Sequence, residues 1–299
     1  MNIKIRNFID GDGYCEDFKK ICDFLIRINQ NEVMAPNWLW ARWVWQYSTH
    51  INTTQSHFGI AEVYGKIVGL TLYDNGLGEA FFCVDKDHEG IKSQLIDFAI
   101  NNLSLNGEIR LALPEGDLGY QQSAAQKGFI STTEKISTSR IDINNNVYTL
   151  PKGYTILSFA DKSFDADKYF DAIWKGFDNK RERTEVEMES VKNREEFDKP
   201  YFDPDLRILV VAPNGDYAAH CGMWCIPGSE YAYVEPVFTL PEYRKLGLGK
   251  AAVLEGVNRC GKLGAKHAYV LSSQQFYYNI GFYPYQNDIW WVHKKSLTK

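Results

Sequence analysis

Twelve consecutive residues carry most of the information about this chain: Thr239-Leu240-Pro241-Glu242-Tyr243-Arg244-Lys245-Leu246-Gly247-Leu248-Gly249-Lys250. Apolar, strand-like residues precede this segment and a run with helical periodicity follows it, which predicts a strand, a loop and a helix. Its two glycines let the backbone turn sharply and approach a ligand without a Cβ in the way. The free N–H groups of the first helical turn then point towards one place, which favours an anion such as a diphosphate.

Two common nucleotide sites do not fit the same residues. The segment from Gly247 to Ala252 matches the G-x-G-x-x-G/A pattern of dinucleotide-binding folds. That pattern opens a βαβ unit and is followed about 20 residues later by an acidic residue. Here the glycines follow an apparently antiparallel series of strands, and residues 270–275 contain no carboxylate. The spacing of a nucleoside-triphosphate loop, which ends in Lys-Ser or Lys-Thr, is also missing.

The segment resembles the acetyl-CoA loop of the GNAT acyltransferase family, which reads Q/R-x-x-G-x-G/A between the fourth strand and third helix of that family. Arg244, Gly247 and Gly249 occupy the corresponding positions. The usual lead-in of the family, V-x-P-x-x-R, is present at 239–244, with Thr239 in place of the valine. This resemblance implies that acetyl-CoA is the co-substrate.

A second signature of the same family lies further along the chain. It is a helix that carries a Tyr four residues before Gly-Phe, and Tyr277 with Gly281-Phe282 matches it. Either motif alone is only moderately specific for the family, but the two motifs together, in this order, are strong evidence for the resemblance. The resemblance covers residues 152–295 well and the first half of the chain only through the order of its elements.

The length of 299 residues suggests two domains of roughly 150 residues each. Both halves show the same predicted order of strand, helices, three strands, helix, strand, short helix and Gly-Phe, and the periodicity lapses at Asn144-Asn145-Asn146. We therefore predict an α/β (α+β) protein with two tandem GNAT-like domains, 1–150 and 151–299. Each domain is expected to be a mixed, mostly antiparallel, twisted sheet flanked by helices.

The first half lacks a usable copy of the loop. The corresponding residues, 84–92, contain one glycine, no Arg at the right spacing, and three acids, Asp85, Asp87 and Glu89. Negative side chains at a helix N-terminus would repel a diphosphate. We interpret residues 1–150 as a degenerate copy that shapes the substrate side and does not bind acetyl-CoA.

Composition excludes several other classes of protein. Hydrophobic residues make up 44% and charged residues 24%, and the net charge of −5 leaves no basic surplus for a nucleic-acid partner. No apolar run approaches the roughly 20 residues that cross a bilayer, and no signal-peptide pattern opens the chain, so we expect a cytoplasmic protein without a membrane partner. The six cysteines are scattered and lack the spacing of a zinc site, so we expect buried thiols and no metal.

The resemblance also implies which residues bind the co-substrate. Backbone N–H groups of the loop would hold the pyrophosphate, with a charge-assisted contact from its arginine, and the end of the preceding strand would pair with the pantetheine amides. The cofactor-binding residues implied in this way are Val237, Phe238, Thr239, Arg244, Lys245, Leu246, Gly247, Leu248, Gly249 and Lys250.

Transfer of an acyl group from a thioester to an amine requires a deprotonated amine and favours an acid for the departing thiolate. The resemblance implies Tyr277 as that acid, although it could instead be an aromatic side chain packed with Phe276 and Tyr278. Glu235 is the candidate base, and the alternatives are that it binds an ammonium substrate or forms a structural ion pair. His220 is a weaker candidate, because a lone His among apolar residues is more often part of the core.

These observations predict an N-acetyltransferase that moves an acetyl group from acetyl-CoA to a primary amine by direct attack, without a metal or a covalent enzyme intermediate. The acceptor is a small molecule or a peptide whose identity the sequence leaves open, as it does the oligomeric state. Two alternatives remain: another acyl or aminoacyl transferase on the same scaffold, and a non-catalytic protein that responds to acyl-CoA.

Overall fold

A computed structural model describes residues 3–11, 13–30, 33–49 and 55–293. The strands are β1 (Lys4–Asn7), β2 (Gly59–Val63), β3 (Lys66–Leu72), β4 (Glu79–Val84), β5 (Arg110–Pro114), β6 (Phe129–Asp142), β7 (Thr155–Ser158), β8 (Arg207–Val211), β9 (Tyr217–Trp224), β10 (Tyr231–Thr239), β11 (His267–Val270) and β12 (Tyr283–His293). The α-helices are α1 (Glu16–Ile28), α2 (Trp40–Thr49), α3 (Lys92–Asn102), α4 (Leu118–Gln126), α5 (Ala166–Gly176), α6 (Glu185–Asn193), α7 (Leu248–Lys262) and α8 (Gln275–Asn279).

The described chain divides into two compact units. Unit 1 contains the chain up to Ser139, the short segment Leu271–Ser273, and the chain from Pro284 onwards. Unit 2 contains Arg140–Val270 and Gln274–Tyr283. The units therefore do not coincide with the linear segments 1–150 and 151–299, because the chain enters unit 2 inside β6 and its last strand is part of unit 1.

In unit 1 the strands follow the order β1-β2-β3-β4-β5-β12-β6. The C-terminal strand β12 pairs antiparallel with β5, from Asp288 opposite Pro114 to Val292 opposite Arg110. The side chain of Phe81 in β4 packs edge-on against that of Trp290 in β12, with ring centroids 5.5 Å apart. The last strand of the chain thus completes the sheet that the first residues begin.

Unit 2 has the strand order β11-β10-β9-β8-β7, antiparallel except for the parallel pair β10 and β11. Both faces of its central strands are buried, because the long helix α7 covers one face and α5 covers the other. The first face carries residues such as Ile208, Met223 and Val234, and the second carries Leu209 and Phe238. The prediction of mixed, mostly antiparallel sheets flanked by helices is confirmed.

Candidate functional site

The strands β10 and β11 separate soon after they begin to pair. Their parallel register runs only from Tyr231 opposite His267 to Tyr233 opposite Tyr269. β10 nevertheless continues to Thr239, whereas β11 ends at Val270. The later half of β10 therefore pairs with β9 but not with β11, which leaves an edge of backbone groups to which an extended amide-containing ligand can add.

A β-bulge shifts the register of β10 at the point of separation. Val234 lies opposite Met223 and Val237 lies opposite Cys221, so that two residues, Glu235 and Pro236, oppose a single residue of β9. Beyond the bulge, the predicted pantetheine-binding residues resume pairing with β9 through Thr239. Bulges bend a strand and redirect its side chains, and they are common beside functional sites.

The loop between β10 and α7 has the conformation that its glycines predict. A short 3₁₀ turn, Pro241–Tyr243, precedes Lys245 and Gly247, whose φ angles are +65° and +80°. Within the described parts of the chain, none of the backbone N–H groups from Lys245 to Lys250 donates to another residue. The N–H groups of Leu248 to Lys250 belong to the first turn of a 15-residue helix, whose positive end is a suitable environment for a diphosphate.

The two glycines of the loop serve different purposes. A Cβ at Gly249 would lie 2.8 Å from the Thr239 hydroxyl and 3.3 Å from the Phe276 ring, so only a residue without a side chain lets α7 begin this close to the end of β10. A Cβ at Gly247 would have no described heavy atom within 4 Å. The outer side of Gly247 is therefore open to a ligand.

Arg244 is tied to its surroundings on the outside of the loop. Its Nε donates to the Thr239 carbonyl over 3.1 Å, and its Nη2 lies 2.9 Å from a carboxylate oxygen of Asp178, just beyond the end of α5. Both side chains are exposed, and exposed ion pairs contribute roughly 0–1 kcal/mol. A diphosphate can therefore compete with Asp178 for this guanidinium.

Tyr277 is buried in the core of unit 2, 8% exposed, and its ring packs edge-on against Phe282 at 5.4 Å. Its carbonyl accepts the N–H of Phe282 at 3.0 Å, which requires the chain to reverse at Gly281, where φ is +111°. Burial and the nearby Cys221 and Glu235 raise the pKa of the Tyr277 hydroxyl. The phenol is therefore protonated at neutral pH and lies within electrostatic range of the candidate base.

The structure separates the two candidate bases. Glu235 is half-buried in the bulge. His220 is completely buried, stacked on Phe159 with centroids 5.4 Å apart and edge-on to Tyr169 at 5.1 Å. Desolvation and the charge of Arg207 lower the pKa of His220 to about 3. A neutral imidazole enclosed by aromatic rings is a core residue, in agreement with the alternative interpretation of His220.

Three residues at the site carry no sequence signal. Asp178 contacts the loop arginine, while Arg207 and Trp224 both donate to the Glu235 carbonyl. Each of them belongs to an element whose local pattern is ordinary, and only the register of three strands and the end of α5 brings them to the site. A search for motifs along the chain could not have found them.

In unit 1 the loop that corresponds to the diphosphate site is closed by its own side chains. The Asp85 carboxylate accepts from the Asp87 N–H at 3.2 Å and pairs with the Arg27 guanidinium. Lys92, at the start of α3, lies 2.8 Å from Asp117. The loop of unit 1 thus has the Asp85 carboxylate bonded to one of its N–H groups, whereas the corresponding loop of unit 2 has N–H groups without a partner among the described residues.

All six cysteines are free thiols, and five of them are buried. In the residues that the structure covers, no three His, Cys, Asp or Glu side chains are grouped in a way that could hold a metal ion. Over the same residues, no helix combines the length and apolar character that crossing a membrane requires.

A parallel pair that separates at a bulge, followed by a glycine-rich loop at a helix N-terminus, is the arrangement expected of an acyl-CoA-dependent acyltransferase. Residues 169–283 match the sequence model of the acetyltransferase (GNAT) family. This match, together with the shared fold of the structures below, confirms the predicted resemblance to the GNAT superfamily and its tandem-domain members.

Solved structures with the same fold extend over nearly the whole chain. A GCN5-related N-acetyltransferase from Sphaerobacter thermophilus is 13% identical, with a TM-score of 0.58 over 97% of this chain and 95% of its own. A tandem GNAT protein from the clavulanic acid biosynthesis pathway is also 13% identical, with a TM-score of 0.58 over 97% and 98%. A GNAT-family acetyltransferase from Colwellia psychrerythraea is 12% identical, with a TM-score of 0.56 over 97% and 100%. No curated protein matches the sequence.

Proposed function

We propose that unit 2 binds acetyl-CoA and transfers the acetyl group to a primary amine of a small molecule or peptide. The observation that carries this proposal is the continuity between the unpaired edge of β10 and the unbonded N–H groups of Lys245 to Lys250. One segment of chain thus offers an edge for the amides of pantetheine and, directly after it, a cradle for a diphosphate.

The residues present fit acetyl-CoA. The N–H groups of the loop hold the pyrophosphate, and Arg244 exchanges Asp178 for a phosphate oxygen. Val237 to Thr239 present the backbone edge to the pantetheine amides. When bound, acetyl-CoA supplies a thioester carbonyl carbon for the amine to attack.

Glu235 is the residue that removes the proton from the incoming ammonium group, directly or through a water molecule. It lies where β10 leaves β11, and an amine carries a proton at neutral pH that it must lose before it attacks. A net charge of −5 slightly favours the approach of cationic acceptors.

Tyr277 donates a hydrogen bond to the departing sulfur. A free thiol has a pKa near 8.5, well below that of a tyrosine whose pKa burial has raised. Complete proton transfer from Tyr277 to a thiolate is therefore unfavourable, whereas a hydrogen bond to it is stabilising. Loss of this hydroxyl should weaken turnover without abolishing it.

The test combines calorimetry with a panel of amines. The full chain is titrated with acetyl-CoA and with longer acyl-CoAs, and thiol release is then measured for small amines, amino acids, aminoglycosides and peptides. Saturable acetyl-CoA binding with acceptor-dependent thiol release supports the proposal. Binding without release for any amine would favour the non-catalytic alternative, preference for a longer acyl group would overturn the acetyl assignment, and no binding would overturn the proposal as a whole.

A further inference from the structure

The bulge in β10 places the Glu235 carbonyl beside side chains of the neighbouring strands β8 and β9. Glu235 and Pro236 oppose the single residue Gly222, and proline has no N–H to return to β9. The extra residue of a bulge disrupts the local ladder. What the Glu235 carbonyl contacts therefore determines how the bulge is held.

Two side chains donate to this carbonyl. The Trp224 indole Nε1 donates to the Glu235 oxygen over 2.8 Å, and the Arg207 Nη1 donates to the same oxygen over 3.4 Å. The Arg207 guanidinium carbon lies 3.9 Å from the Trp224 ring centroid and 4.6 Å from that of Phe202. Arg207 and Trp224 are both 1% exposed, so this contact is made in the absence of competing water.

Gly222 makes room for the same contact. A Cβ at this position would lie 2.6 Å from the Arg207 Nη1 and 2.6 Å from the Glu235 carbonyl oxygen. It would also lie 2.8 Å from the Cδ of Pro236. Because Gly222 has no side chain, the Arg207 guanidinium can reach the Glu235 carbonyl opposite it.

We propose that Trp224, supported by Arg207, is a positioning residue of the acyl-transfer site. Its indole N–H holds the Glu235 carbonyl and so fixes the bulge, which orients the Glu235 carboxylate and sets where the free edge of β10 begins. This inference rests on the proposed function as far as the role of the carboxylate is concerned. The anchoring of the bulge can be tested without turnover.

The discriminating variant is Trp224→Phe, which keeps an aromatic ring against Arg207 and removes only the donor and part of the ring. The chain offers a matched control in unit 1, where the buried Trp43 indole Nε1 donates to the Phe18 carbonyl over 3.2 Å. Trp43→Phe removes the same kind of bond within unit 1, outside the strands that form the bulge. It should lower the thermal midpoint and leave the kinetics and the dynamics of β10 unchanged.

The first readout is hydrogen exchange of the β10 amides in the full chain without acetyl-CoA. Faster exchange at Val237 and Phe238 in Trp224→Phe, but not in Trp43→Phe, supports the anchor. Wild-type exchange at both residues in Trp224→Phe would overturn it, whatever the protein does with acetyl-CoA.

The second readout is steady-state kinetics, well below the thermal midpoints of both variants. We expect Trp224→Phe to lower kcat by roughly tenfold, the scale of one lost buried hydrogen bond, and to shift the acid limb of the pH profile. A purely structural role would reduce the fraction of active protein without moving that limb, and such a result would refute positioning. If the wild type transfers no acetyl group, the proposed function fails, and hydrogen exchange alone decides the anchor.

Discussion

Replacing Gly247 by Glu gives the most direct test of the diphosphate cradle. The residue has φ of +80° and open space where a side chain would begin, so the variant places a carboxylate beside the unbonded N–H groups. A non-glycine residue in this conformation costs about 1–2 kcal/mol of stability by itself. The chain provides a matched control at Gly228, which has φ of +82°, similarly open surroundings, and a position near the other end of α7.

The magnitude follows from linkage. Acetyl-CoA at a hundred times its Kd stabilises the folded state by about 2.7 kcal/mol. For a cooperative unit of roughly 150–250 residues this corresponds to a rise in Tm of about 5–10 °C. Wild type and Gly228→Glu should both show the rise, whereas Gly247→Glu should lose most of it, because a second anion occupies the cradle.

The assay is differential scanning fluorimetry with and without acetyl-CoA, confirmed by calorimetric Kd values. Gly228→Glu corrects for the strained backbone and the added charge, since both variants share them. If acetyl-CoA raised the Tm of Gly247→Glu as much as that of the wild type, the assignment of this loop as the diphosphate site would be refuted.

The other predictions concern Tyr277, Gly249 and His220. Tyr277→Phe should retain the acetyl-CoA-induced Tm rise and lower kcat by roughly 10- to 100-fold on an identified acceptor; unchanged turnover would show that the hydroxyl does not act. Gly249→Ala should destabilise the folded state by about 1–3 kcal/mol, measured by chemical denaturation, and should weaken acetyl-CoA binding, measured by calorimetry. Adding Thr239→Ala removes the hydroxyl that lies 2.8 Å from the new Cβ, so the double variant should recover part of the stability and part of the affinity. Because the pKa of His220 falls from an unfolded value near 6.5 to about 3 on folding, the unfolded state binds the extra proton, and stability is lost as the pH falls through that window. His220→Phe should flatten the slope of unfolding free energy between pH 6 and 4 by up to about 1.4 kcal/mol per pH unit, and an unchanged slope would contradict a neutral buried imidazole.

The parts of the site that sequence predicts are those whose geometry is local. The loop needs a left-handed residue at Gly247 and no side chain at Gly249, and both requirements are visible as glycines in the chain. The Tyr-to-Gly-Phe spacing is equally local, because Phe282 returns to the carbonyl of Tyr277 through a single reversal at Gly281. Short-range backbone geometry of this kind leaves a readable pattern.

What the sequence does not predict depends on pairing between distant segments. Arg207 reaches the Glu235 carbonyl only because β8, β9 and β10 adopt one particular register. The assignment of β12 to unit 1 is similar: its pairing with β5 spans most of the chain, and nothing within β12 specifies that partner. Periodicity identifies a strand but not its neighbour.

The membership of β12 has a practical consequence for anyone who divides this protein. A fragment that stops near residue 150 would contain β5 and most of unit 1 but not the C-terminal strand that lies between β5 and β6 in the sheet. Its complement would carry that strand with no β5 to receive it, as an open strand edge that can pair with another chain. Neither half of the gene therefore encodes the complete sheet of unit 1, whose described strands come from both sides of such a division.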